Sequence, residues 1–233
     1  MINIFDVNPE AVRKSADDFI GSARSGMQLN NRPMSLPTWR FTSPVRSVLD
    51  DVAIAYGGAV EEWETKSAET LQVITEAEKV DIILVGIKSN MVLWGRNGKI
   101  RECDGVKQVA GDDGSCEDCA CPSDLSERKA AAKKGTGCEP SVGLFFRLDV
   151  PDVVDEGLFR FYSSAWSFAK DMGKVEEDFV ALGGDCHATL TKELVEFTTK
   201  DGKEISFMKP VVTLGELLAP GESAAYSSDS EPF

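Results

Sequence analysis

Histidine is almost missing from this sequence: His187 is the only one in 233 residues. The commonest general base and the commonest neutral metal ligand are therefore confined to one position. Long apolar runs are missing too. The longest, "VDIILVGI" at 80–87, contains an aspartate and falls well short of the roughly 20 residues a membrane-spanning helix needs. There is no G-x-x-x-x-G-K-[ST] phosphate loop, no dinucleotide fingerprint and no G-x-S-x-G elbow. Positive charge is scarce, with 25 basic against 39 acidic residues and a net charge of −14. Phosphate backbones and anionic lipid repel such a chain, so neither direct sequence-specific DNA binding nor membrane association is expected. The opening stretch "MINIFDVNPEAVRKSADDF" has no apolar h-region. A secretory signal is not expected, and a cytoplasmic location is.

What is present is an ordinary globular composition, 42% hydrophobic and 27% charged. Residues 1–32 read as a polar N-terminal arm with a short helix near Ala11 to Ile20. Residues 33–215 read as a single domain, and 216–233 as a disordered, acidic, Ser-rich tail. Within the domain, "PMSLPTWRF" is extended chain with buried aromatics, because its prolines exclude helix. Ser43-Pro44 predicts a helix start, with Val45, Val48, Leu49, Val52 and Tyr56 at helical spacing and Gly57-Gly58 as the stop. Strand-like segments follow: "TLQVITE", "KVDIILVGI", "NMVLWGR" and "KIREC", the last two joined by an Asn97-Gly98 turn. A short helix starts near Ser123 and stops at Gly135. Two further strands lead to an amphipathic helix capped by Ser164, with Phe168, Met172, Val175, Phe179 and Leu182 on one face. A hairpin around Asp201-Gly202 closes the domain. The expected class is α+β: a mainly antiparallel sheet with two longer helices and a small zinc-stapled cysteine loop.

The cysteine pattern is the strongest chemical signal. Five of the six cysteines lie between 103 and 138. A structural zinc takes four thiolate or imidazole ligands in a tetrahedron, usually from two separate segments. Cys103 ends a hairpin, Cys116, Cys119 and Cys121 share a loop, and Cys138 follows the short helix. Gly111, Gly114, Gly135 and Gly137 let the backbone wrap an ion. The expected ligands of a structural Zn2+ are Cys103, Cys119, Cys121 and Cys138, with Cys116 the alternate for Cys119. A redox role for Cys116 and Cys119 is disfavoured, since Asp112, Asp113, Glu117 and Asp118 raise a nearby thiol pKa.

No catalytic residues are assigned, and the chain is not read as an enzyme. Cys186 and His187 are adjacent on extended chain and point to opposite faces, the wrong geometry for a thiol–imidazole couple. The runs "DD", "EEWE" and "EED" read as solvated faces. Trp39, Trp94 and Trp166 read as core anchors, because no dense basic residues interleave them.

Several phrases together resemble one family. They are "LPTWRF" before a helix ending "AYGG", "MVLWGRNGKIRECDGV", "CACP" with "ERKAAAKKGTGCEPSVGLFFRL", "GLFRFYSSAWSF", and "ELVEFTTKDGKEISFMKPVV". The series, spanning roughly 33 to 214, resembles the recombination directionality factors of actinobacterial phages that use large serine integrases. Cys103, Cys119, Cys121 and Cys138 match cysteine positions of that pattern, and Cys116 is extra to it. The resemblance implies a factor, working in the bacterial host's cytoplasm, that binds a DNA-bound large serine integrase. It would switch the integrase from integration to prophage excision, inhibit integration, and do no chemistry itself. The other readings left open are a small zinc- or thiol-dependent enzyme of nucleic-acid metabolism and another phage interaction protein. The sequence assigns no partner-binding residues.

Overall fold

The structure, a computed structural model, describes residues 19–29, 32–110, 115–150, 157–199 and 202–219, without the side chains of 29, 109, 110, 115 and 116. The elements run β1 (Phe19–Leu29), β2 (Arg32–Ser43), α1 (Arg46–Tyr56), β3 (Val60–Glu62), β4 (Leu71–Ile74), β5 (Val80–Gly95), β6 (Gly98–Cys103), β7 (Lys107–Ala110), β8 (Ser115–Asp118), α2 (Leu125–Lys133), β9 (Glu139–Leu148), β10 (Leu158–Ser163), α3 (Trp166–Leu182), β11 (Cys186–Thr198) and β12 (Glu204–Leu217).

The strands form one large mixed sheet in the order β3-β4-β2-β1-β10-β9-β5-β6-β7-β8, with β11 also on β5 and β12 on β11. The expected class is thereby corrected. Strand dominates, the 12-stranded sheet is mixed because β1 runs parallel to β10, and only α3, with 17 residues, is a long helix. A parallel pair joins distant chain segments and leaves no turn motif in the sequence. Residues 19–29, read as arm, are a full strand. The helix expected near Ala11 to Ile20 lies outside the described residues except for Phe19 and Ile20, which open β1. The tail from 220 onward also lies outside them.

The described residues fall into two compact units. One lies within 86–144 and 162–181, and the other within 19–85, 145–161 and 182–219. In the second unit, Trp39 packs edge-on to Phe161 (5.5 Å, 82°) and Phe41 edge-on to Phe159 (5.5 Å, 88°), all within 1% of full burial. Such pairs add to the area their rings bury. Helix α1 adds Val48, Leu49 and Val52 to the buried face. Its N-cap is Val45, with no side-chain cap. Ser43 instead takes the Val45 N–H at 3.0 Å and donates to the Ile20 carbonyl at 2.6 Å. The missing cap costs about 1 kcal/mol, and three buried aliphatic side chains at roughly 1.5–3 kcal/mol each outweigh it.

Two polar groups organise this unit. Glu69, 7% exposed, accepts from Ser22 Oγ (2.7 Å), Thr42 Oγ1 (2.6 Å), Arg24 (3.1 Å) and Arg160 (3.2 Å). Burial pushes its pKa up, but the two hydroxyls and Arg24 more than offset that, and the carboxyl ends below its usual range. Lys192, on β11, serves a break in the β1–β2 ladder. There the register jumps from Arg24↔Arg40 to Gly26↔Ser35. Ser25 therefore faces residues 36–39 with no ladder partner. The Lys192 ammonium donates to the Ser25 carbonyl (2.9 Å), the Leu36 carbonyl (2.9 Å) and the Thr38 carbonyl, and it lies over the Trp39 ring. All three of its protons are used on carbonyls the bulge orphans. Burial lowers its pKa to about 8, so it stays protonated at neutral pH.

In the first unit, α3 buries Phe168, Ala169, Met172, Gly173 and Glu176. The apolar face is rotated from the expected one, with Val175 and Phe179 only half-buried. Strand β5 is one 16-residue strand rather than the two expected, because the polar run Lys88-Ser89-Asn90 alternates across the sheet without breaking it.

Candidate metal centre

Strand β6 carries Cys103 at its end, and alternation puts Arg101 on the same face. The turn after it is fixed by Asp104, whose Oδ1 accepts from the N–H groups of Val106 and Lys107, both at 2.7 Å. The chain returns through β7 and β8, and the Cys119 N–H bonds the Val106 carbonyl at 2.7 Å. Cys119 is thereby set beside Cys103, with a sulfur–sulfur distance of 3.2 Å. Helix α2 delivers the last cysteine. Asp124 caps it, its Oδ1 accepting from Ser126 N and Glu127 N at 2.9 Å each. Gly135, at φ 70°, reverses the chain. Gly137 passes so close to the helix that a Cβ there would lie 2.8 Å from the Ala131 side chain. Cys138 follows and is fully buried.

Cys103, Cys119 and Cys138 converge, with their sulfurs all within 4.8 Å of one another. Cys121 adjoins them: its sulfur accepts the Cys138 N–H at 3.2 Å. Arg101 donates to Cys121 Sγ (3.2 Å) and to Cys138 Sγ (3.4 Å). None of these cysteines is in a disulfide. A hydrogen bond from Cys103, with Arg101 behind it, pulls the Cys138 thiol down to about 5. The same bond, burial and Cys119 push Cys103 upward. Burial pushes Cys121 up. The cluster thus sets a guanidinium against the sulfurs of Cys121 and Cys138. Three converging sulfurs are compatible with metal binding, since tetrahedral sulfurs 2.3 Å from a zinc lie about 3.8 Å apart. The Cys116 side chain lies outside the described residues. Sequence reasoning missed Arg101, although its two-residue spacing from Cys103 carried the signal.

A family model described as Gp3-like, recombination directionality factor-like, matches residues 20–215. The chain belongs to the recombination directionality factor-like family. No solved structure matches it. The match spans both units of this recombination directionality factor-like protein, including every described cysteine.

The remaining candidates separate as follows. Cys186 is fully buried, and burial raises its thiol to about 11. His187 Nδ1 pairs with Asp149 Oδ2 at 2.8 Å instead. No described contact couples the two. Trp39 is a core anchor, but Trp94 is 55% exposed, and Trp166 is half-buried beneath Lys129. Among the described residues no helix is long and apolar enough to cross a membrane.

Proposed function

We propose that this protein binds a DNA-bound large serine integrase and switches it from integration to excision, suppressing the integrative reaction. The family match over 20–215 carries the reading. The charge of −14 supports it, because an acidic factor meets a basic DNA-binding partner faster than it meets DNA. The factor works by binding one integrase conformation more tightly than the other, since equal affinity shifts no equilibrium. It does no chemistry on DNA, and it acts in the cytoplasm of a bacterial host whose phage belongs to the actinobacterial group.

Within this reading, Cys103, Cys119, Cys121 and Cys138 hold a structural zinc, with Cys116 the alternate for Cys119. Four thiolates leave no open position for water. Arg101 and the Cys138 N–H supply the outer hydrogen bonds that orient the sulfurs. The metal fastens α2 to the β6–β8 end of its unit, giving a rigid surface for differential binding.

The test is recombination in vitro with the cognate integrase. Adding the protein is expected to activate recombination between the left and right prophage junctions and to inhibit integration. If both reactions run unchanged, the proposal is wrong.

A further inference from the structure

The second unit contains a groove of about 1110 Å³ bounded by Arg24, Met27, Met34, Arg40, Trp63 and Phe207, among others. That is larger than the roughly 300–1,000 Å³ of small-molecule sites. Its floor carries an imbalance of charge. Arg24 and Arg40 both line the groove, and of the two only Arg24 has a carboxylate partner among the described residues, Glu69, which also binds Arg160. Both oxygens of Glu69 are already taken, by Arg24 and Arg160 together with two hydroxyls. Arg40 is the surplus cation. It is 5% exposed, and its Nε donates to Gln72 at 2.7 Å. It lies 4.1 Å over the Trp63 ring, and among the described residues it has no ion pair. Glu64, at the rim, is solvent-exposed and pairs with neither arginine among those residues. A buried cation without a counter-charge costs several kcal/mol. Burial and the neighbouring Arg24 accordingly depress its pKa.

We infer that this groove is a docking site for an acidic side chain, Asp or Glu, flanked by apolar residues in an extended segment of a protein partner. The carboxylate would lie in the fork of Arg40 and Arg24, where planar guanidiniums offer paired N–H groups. Trp63, Met27, Met34 and Phe207 form the apolar walls, and methionines repack around side chains of varied shape. The chain is acidic overall, so this cationic pocket is a local reversal. It selects a particular acid in the partner, while the remaining surface favours basic ones. The inference rests on the proposed function only for the identity of the partner.

The test uses the 15N-labelled full chain and a blocked pentapeptide, LDFEL, with LNFQL as its uncharged counterpart and inorganic phosphate as a third probe. LDFEL, at about 5 mM to allow for a millimolar Kd, is expected to shift the Nε–Hε resonances of Arg40 and Arg24 and the indole resonance of Trp63. LNFQL and phosphate should leave them in place. No shift with LDFEL, an equal shift with LNFQL, or a response to phosphate as strong as that to LDFEL overturns the inference. A second arm measures binding to DNA-bound integrase. Arg24→Gln alters a 38% exposed side chain and is expected to weaken binding about 10-fold, as loss of an anchor contact does. If the wild type binds integrase and Arg24→Gln binds equally well, the groove inference fails and the function stands. If LDFEL shifts Arg40 but the wild type ignores integrase, the function fails and the groove stands.

Discussion

Replacing Glu69 by Gln tests whether its network holds the second unit together. The amide keeps one acceptor oxygen and puts an NH2 where the other was. Ser22 and Thr42 can turn their hydroxyls to accept, but a guanidinium cannot. One of Arg24 and Arg160 then faces a donor, and the remaining one keeps a neutral bond in place of a charged one. Two charge-assisted bonds at roughly 1.5–3 kcal/mol each set the upper range. Arg24 and Arg160 are 38% and 34% exposed, and solvent screens such pairs, so the expected net loss is about 2–3 kcal/mol. For a chain of this size that lowers Tm by roughly 5–10 °C. The pH dependence is the sharper readout. The folded pKa of Glu69 lies below its unfolded value near 4.5. Its contribution is therefore complete above the unfolded pKa and is lost as pH falls through the folded one. Urea titrations of both proteins should differ by a constant amount from about pH 6 to 8, and the gap should close as pH falls below the unfolded value and through the folded one. A difference under about 0.5 kcal/mol at neutral pH, within the scatter of ordinary surface substitutions, would refute the argument. So would a gap that does not change with pH.

Three further outcomes are expected. Elemental analysis of the purified protein should find one zinc per chain, lost in Cys121→Ser and Cys138→Ser and retained in Cys116→Ser; zinc retained in Cys138→Ser would break the proposed ligand set. Asp124→Ala removes the α2 cap and should cost about 1 kcal/mol, read as faster amide exchange confined to Leu125–Lys133. Gly21→Ala puts a Cβ 2.5 Å from the Thr42 carbonyl and 2.8 Å from the Phe159 ring, and should destabilise by roughly 1–3 kcal/mol in thermal unfolding.

Local structure was legible where a local rule governed it. The β11–β12 hairpin, the stop of α1 at Gly57 and the three helical segments follow from turn glycines and 3.6-residue spacing. The β5–β6 turn is displaced by one position, because the two loop residues are Arg96 and Asn97, and Gly98, at φ 124°, already belongs to β6. What escaped was non-local. β1 lies against β10, 139 residues away at Phe19↔Leu158, and nothing near Phe19 announces that partner. The cysteine cluster was visible because thiols are rare and clustered. The Glu69 and Arg40 network was not, since its members come from positions 22 to 160 and each resembles a surface charge.

The Lys192 contact bears on the order in which the chain can fold during synthesis. It reaches back 167, 156 and 154 residues to Ser25, Leu36 and Thr38. The ribosome adds roughly 5–20 residues per second, so the N-terminal bulge waits on the order of ten seconds for the ammonium that completes it. During that interval β1 and β2 carry orphaned carbonyls and lack β10. The β1–β2 pair is consequently completed only after the segment 86–144 has already emerged. Truncated nascent chains ending before residue 192 should leave β1 and β2 open to protease.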